Sequence, residues 1–177
     1  GDDIALVPTM GYYHAGHEDL MTHARGLARR LVVSLFVNPT QFGPGEDLEA
    51  YPRDPERDAA IAAAHGADVL FRPEPGLMYA PDHATRVEVP ELAKGLCGQT
   101  RPVHFRGVCT VVLKLFLLTG ADVAVFGQKD WQQQAILRRM ARDLNVPVRI
   151  VTRPTVREAD GLRLNFADGG ALRTDMV

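Results

Sequence analysis

The chain carries 177 residues, 46% of them hydrophobic, with 20 basic and 22 acidic side chains and a formal net charge of −2, a balance that suits one core and one domain. Charges of both signs are interspersed along it, which excludes a non-specific footprint for nucleic acid or an anionic membrane. Its two cysteines, Cys97 and Cys109, form no CxxC, so neither a disulfide framework nor a zinc knuckle is indicated, and a reducing cytoplasm is the plain expectation.

Short apolar runs alternate with amphipathic stretches, the pattern of an α/β fold with a parallel sheet and crossover helices. The first strand is expected at 4–7, so near the start that further structure is expected ahead of Ile4. Pro8 ends it. Gly11, Tyr12 and Tyr13 then lead to His14 and His17, around Gly16, at the mouth of a helix over 16–30. That helix carries Leu20, Ala24, Leu27 and Ala28 at helical spacing, with Arg25, Arg29 and Arg30 near the end where cations suit the dipole.

Strands follow at 31–37 and 68–71, with an alanine-rich helix over 55–65 between them. The segment TRVEVPEL, 85–92, reads as a short edge strand stopped by Pro90. A nearly all-round apolar helix over 107–118, interrupted by Lys114, is buried and far too short to span a bilayer. The N-terminal GDDIALV has no charged-then-apolar leader. A strand at 122–126, an amphipathic helix over 130–144 and a strand at 148–151 complete the pattern, which dissolves from Phe166 onward.

Open parallel sheets bind ligands outside the carboxyl ends of their strands, a rule that puts the polar clusters at 8–17, 38–47, 127–133 and 152–161 on one rim. His14 and His17, beside unpaired N–H groups and the positive end of a helix dipole, make a place to hold phosphate. By spacing alone, surface histidines or an N-capping side chain is the plainer reading, and a zinc pair lacks further ligands. Lys129 and Asp130 follow Gly127, where a cation reaches a phosphate and a carboxylate a ribose hydroxyl; Asp130 is also a good helix-start residue.

Neither GxxxxGK[ST] nor GxGxxG occurs, so a Walker or dinucleotide loop is not supported. Asn38 and Gln41, with Gln133 from the facing helix, offer amides to a small polar substrate. Turn formation by Asn-Pro also explains Asn38, and Gln41 and Gln133 suit solvation equally. Arg101, His104 and Arg106 fall in a loop ahead of the apolar helix, as an anion site or as ordinary surface charge. Met10, Tyr12 and Tyr13 read as packing residues.

Taken in order, "VPTMG..H.GH", "FVNPTQFGPGEDLEAYPRD", "GLCGQTRPVHFRGV", "VFGQKDWQQ" and "PTVREADGL" resemble the pantothenate synthetase (pantoate–β-alanine ligase) family over roughly residues 5–164. The resemblance implies a Rossmann-like nucleotide- and pantoate-binding domain over 1–164, a parallel sheet with helices on both faces. It also implies that most of the family's C-terminal domain is lacking, with a divergent or truncated tail over 165–177. It implies a cytoplasmic homodimer that uses ATP and Mg2+ to form pantoyl adenylate, releasing pyrophosphate, before the β-alanine amine displaces AMP.

By the same resemblance, His14, His17 and Lys129 stabilise charge on the ATP phosphates. Asp130 contacts the ribose, and Gly16, Gly127 and Val156 line the nucleotide. Gln41 and Gln133 grip pantoate, with Met10 and Asn38 close by, Arg101 and His104 belong near that pocket, and Asp58 is a second-shell contact for the metal. This chain departs from the family in having GYYHAGH for GALHEGH, FGQKDWQQ for FGEKDYQQ, and Asn165, Phe166 and Ala167 after Leu164 in place of MSSRN. The departures leave two alternatives: a relative that adenylates or joins a different acid and amine, and a non-catalytic nucleotide-binding homologue.

Overall fold

Five apolar runs pair in parallel in the computed structural model, which describes residues 2–46 and 48–156. The strands β1 (Asp2–Thr9), β2 (Ala28–Leu35), β3 (Val69–Phe71), β4 (Val123–Gly127) and β5 (Arg149–Arg153) lie in the order β3-β2-β1-β4-β5. Around them are α1 (Ala15–Arg25), α2 (Pro55–Ala64), α3 (Pro75–Met78), α4 (Pro90–Ala93), α5 (Cys97–Thr100), α6 (His104–Thr119) and α7 (Trp131–Asp143).

Side chains alternate across each strand, so the sheet needs an apolar layer on both faces. Ala5, Val7, Leu31, Val33, Val123 and Val125 pack with Met21 and Ala24 of α1 and Ala62 of α2. Leu6, Val32, Ala124, Phe126 and Ile150 pack instead with residues of α6 and α7. The winding reverses between β1 and β4, and the crevice at that switch point is where such a sheet receives a ligand.

Three expected elements differ. The helix expected over 16–30 ends at Arg25, where Gly26 turns its N–H back to the Ala24 and His23 carbonyls. Residues 28–30 instead pair with β1, because strand hydrogen bonds satisfy backbone groups that an exposed last helical turn leaves open. Arg29 and Arg30 therefore tie together the starts of neighbouring strands: Arg29 Nε donates to Asp3 at 2.8 Å, and Arg30 reaches Asp68 at 3.0 Å.

The edge strand expected over 85–92 finds no ladder among the described residues, and Pro90 opens α4. Its burial still alternates as in an extended chain, Val87 and Val89 against the core and Arg86 and Glu88 outward. The apolar helix begins at His104, not Gly107, so His104 and Arg106 lie on its first turn rather than in a loop. The tail over 165–177, with the departures beyond Leu164, lies outside the described residues. Among the described residues no helix is long and apolar enough to cross a membrane.

α6 sits hard against the 3-10 turn Pro39–Gln41, and the contact is made at Gly107. A Cβ there would stand 2.4 Å from the Thr40 carbonyl oxygen and 2.6 Å from Gln41 Cα, distances that only displacement of backbone relieves. Gly107→Ala is expected to destabilise the fold by about 1–3 kcal/mol despite alanine's better helix propensity. Urea unfolding of the variant beside the parent chain measures this, and an unchanged midpoint would refute the contact.

Candidate functional site

The turn from β1 into α1 bends through two left-handed residues, Gly11 at φ +92 and Tyr12 at φ +54. Glycine adopts that region freely, whereas tyrosine is strained there and needs fixing from outside. Asp58 of α2 does the fixing. Its Oδ2 accepts from Tyr12 N at 2.7 Å and its Oδ1 from Tyr13 N at 2.8 Å.

Arg57 adds a bond to the Tyr13 carbonyl at 2.9 Å, and its guanidinium lies 5.6 Å from the Tyr12 ring centroid. Both Asp58 oxygens thus hold the loop. Tyr13 is buried, its hydroxyl bonded to Thr9 Oγ1 at 3.2 Å. Burial pushes that phenol up to about 12. The tyrosines that depart from the family pattern are accommodated in the scaffold, as expected of packing residues.

The loop delivers His14 as the N-cap of α1. His14 Nδ1 accepts from Gly16 N at 3.0 Å, and His17 Nδ1 accepts from His14 N at 3.4 Å, a capping box built of two imidazoles. The N-capping alternative is therefore realised, and it has a chemical result. A nitrogen that accepts cannot carry the proton, so each ring keeps its hydrogen on Nε2 and is a neutral donor there.

Gly16 makes room for this: a Cβ would meet His14 Cε1 at 2.7 Å. The rings pack against each other tilted by 44°, with centroids 4.2 Å apart. Burial pushes His17 down to about 3, with the charges of His14 and Lys129 adding to the effect.

On the opposite side of the crevice, Asn38 caps the 3-10 turn, and its amide is fully used. Its Oδ1 accepts from Tyr79 Oη at 2.8 Å and Thr40 Oγ1 at 3.0 Å, and its Nδ2 donates to Gln41 Oε1 at 3.1 Å and the Gly107 carbonyl at 3.2 Å. Asn38 thus orients Gln41 rather than facing a ligand. Gln41 Nε2 donates to Met10 Sδ at 3.2 Å and keeps a second hydrogen for another acceptor.

His104 joins the same network. Its Nδ1 donates to the Gln41 carbonyl at 3.2 Å and its Nε2 accepts from Arg101 Nη1 at 3.4 Å, the opposite tautomer to that of His14 and His17. Burial, then the Arg101 charge, pushes His104 down to about 4. Arg101 grips Glu46 through Nε and Nη2 and holds its carboxyl below the usual carboxylate range.

At the β4 end, Gly127 leads through a 3-10 turn, Gln128–Asp130, into α7. A Cβ at Gly127 would meet open space. Asp130 occupies the N-cap position of α7 without a side-chain capping bond, so starting the helix does not account for its carboxylate. Gln133 makes no side-chain hydrogen bond to the other described residues. Val156, half-buried, lies three residues past β5 on the same rim.

Sequence reasoning missed the neighbours of Gln133. Gln132 bonds the Leu92 and Gly95 carbonyls at 3.0 and 2.7 Å and Cys97 N at 3.1 Å, while Gln134 joins the Gly127 carbonyl to Thr152 Oγ1. Period 3.6 alone separates the three amides, the one signal that was available.

An α/β domain of the doubly wound class, with imidazole, ammonium and amide groups converging at its switch point, is the class that fold and site define. A family model described as pantoate-β-alanine ligase matches residues 1–166, and the chain belongs to that family. A pantothenate synthetase of Desulfovibrio desulfuricans is 82% identical over 165 residues, 93% of this chain and 58% of that protein. One from Nitratidesulfovibrio vulgaris (strain Miyazaki F) is 68% identical over the same shares.

The crystal structure of pantothenate synthetase from Thermus thermophilus superposes with a TM-score of 0.93 at 50% identity, over 97% of this chain and 62% of that one. The ligase from Francisella tularensis, complexed with beta-gamma ATP and β-alanine, gives 0.91 at 38% identity, over 98% and 67%. The chain thus spans about 58% of the length of the curated relatives it matches.

Because His17 and His104 titrate at about 3 and about 4 when folded, against 6.5 when exposed, the unfolded chain binds more protons than the folded one between those values. Stability therefore rises with pH in that window and falls as pH drops below 6.5. Urea midpoints taken from about pH 7.5 down to about pH 5.5, above most carboxylate titration, should decline. His104→Gln should lessen the slope; a slope that the variant leaves intact would refute the neutral buried imidazole.

Proposed function

We propose that the chain forms the nucleotide- and pantoate-binding part, residues 1–164, of a cytoplasmic ATP-dependent pantoate–β-alanine ligase. The observation that carries this reading is the pair of neutral Nε2–H donors, His14 and His17, at the start of α1, with Lys129 on the 3-10 turn that follows β4 across the switch point. A pantoate carboxylate oxygen attacks the α-phosphorus of ATP, and the bond to the bridging oxygen breaks, its electron pair leaving with pyrophosphate. Negative charge grows on that leaving group, where preorganised donors act mostly on the transition state. The β-alanine amine then attacks the acyl carbon, loses a proton and releases AMP.

Gln41 and Gln133 hold pantoate, with Met10 beside Gln41 and Asn38 orienting it. Asp130 takes the ribose, Val156 lies against the adenine, and Gly16 and Gly127 leave room for the nucleotide. Arg101 and His104 fix the Gln41 side of the pocket. Among the described residues no group of three His, Cys, Asp or Glu side chains could hold a metal ion, so Mg2+ fits here as part of the Mg2+–ATP substrate, neutralising its phosphates. Nucleic acid and membrane have no place in this reading.

Pyrophosphate release with ATP, Mg2+ and pantoate, with and without β-alanine, tests it. The assay uses this chain alone and this chain grafted in place of the matching part of the Desulfovibrio desulfuricans relative. Pantoate-dependent release is expected from the graft, and His17→Ala or Lys129→Ala should each lower it by about 10²- to 10³-fold. No release from the graft, or variants that match the parent rate, would remove this function.

We also infer that a second copy docks along 85–89. Val87 N–H is taken by Thr110 Oγ1 at 3.0 Å, so by strand alternation the N–H groups of Arg86 and Glu88 face the other way. Antiparallel pairing about Val87 makes those two residues a hydrogen-bonded pair and sets Arg86 opposite the partner's Glu88, twice per dimer. Sedimentation velocity should show a dimer that Glu88→Arg weakens and that Arg86→Glu with Glu88→Arg restores. A monomeric parent chain, or a swap that fails to restore, rules the pairing out.

A further inference from the structure

Two acids follow His17 on α1, on a helix start where a polyanion is to bind. Each is bonded to a group from elsewhere in the fold. Glu18 Oε2 meets His65 Nε2 at 3.2 Å. Asp19 is held by both arms of the Arg153 guanidinium, Nε to Oδ2 at 3.0 Å and Nη2 to Oδ1 at 2.8 Å. Arg153 is the last residue of β5 and stands in register with Gly127 of β4. The pair therefore reaches from the first turns of α1 across the end of β4 to the edge of the sheet, at the rim where the loops of the candidate site begin.

The pair is half-exposed, with side chains 33% and 31% accessible, and a pair of that kind adds little to fold stability. Its position gives it another task. An unpaired carboxylate two residues past His17 would repel the phosphates that the imidazoles and Lys129 attract, in a cleft where field lines concentrate. His23, one turn further along α1, is the other basic group acting on Asp19.

Resting on the ATP-binding reading above, we propose that Arg153 is a positioning and charge-masking residue for the nucleotide: by neutralising Asp19 it keeps the α1 entrance open to a polyphosphate. Neither residue touches the reacting atoms. Arg138, which donates to the Ile150 carbonyl at 2.7 Å and Thr152 Oγ1 at 2.8 Å, fastens β5 independently, so removing Arg153 leaves the strand in place.

Titration calorimetry of Mg2+–ATP into the unaltered chain and three variants tests the proposal. Arg153→Ala should weaken binding by about tenfold, the scale of one uncompensated charge at a helix entrance. Asp19→Asn should bind as tightly as the parent or tighter, since it frees a cation. The double variant should return to within about twofold of the parent, a rescue expected only when charge, not bracing, is what Arg153 supplies.

A double variant as weak as Arg153→Ala, or Arg153→Ala that binds like the parent, overturns the proposal while leaving the nucleotide site intact. An unaltered chain that takes up no Mg2+–ATP removes the nucleotide reading and this one together.

Discussion

Two oxygens of Asp58 on two consecutive backbone N–H groups hold the β1 side of this crevice in shape. The bonds span 45 and 46 positions of sequence, so they tie the long excursion after β2 to the turn after β1. Without them a tyrosine would sit in left-handed backbone with nothing to offset the strain. With them, the chain enters α1 at an angle that makes His14 the cap, and everything His14 and His17 do follows from being caps. The geometry of the two imidazoles is a consequence of how one buried acid fastens a loop.

Three histidines, His104 buried and His14 and His17 half-buried, show how hydrogen-bond partners decide chemistry before any ligand arrives. His14 and His17 accept backbone N–H groups at Nδ1 and present a proton at Nε2. His104 gives its Nδ1 proton to a carbonyl and receives an arginine at Nε2, which leaves it nothing to offer a substrate. Two imidazoles are donors by construction, and one is a conduit that fixes Gln41. The Lys129 charge acting on His17 and the Arg101 charge beside His104 both favour the neutral ring.

Much of this was legible in the chain itself. Alternating runs gave the parallel sheet, and the rule that ligands gather at strand ends put the clusters at 8–17, 38–47 and 127–133 on one rim. Local signals failed where tertiary pairing outbid them: Arg29 and Arg30 looked like a helix end until β1 claimed residues 28–30. The segment 85–92 looked like an edge strand, and 85–89 has the alternation of one, yet no ladder forms within the described residues. Asp58 was visible as an acid, but no spacing rule announces bonds across that much intervening chain. Asp19 and Arg153 were invisible for the same reason, since each is an ordinary surface charge until the fold sets them face to face.

The run Gln132, Gln133, Gln134 looks like redundancy on the page and is the reverse in space. Successive residues of a helix point about 100° apart, so the first amide fastens the 92–97 loop, the third ties β4 to β5, and the second faces neither. Identical neighbours therefore cannot deputise for one another. A one-residue slip in this helix would hand each task to a side chain of the right chemistry aimed in the wrong direction, which makes the phase of the helix, more than its composition, the inherited quantity.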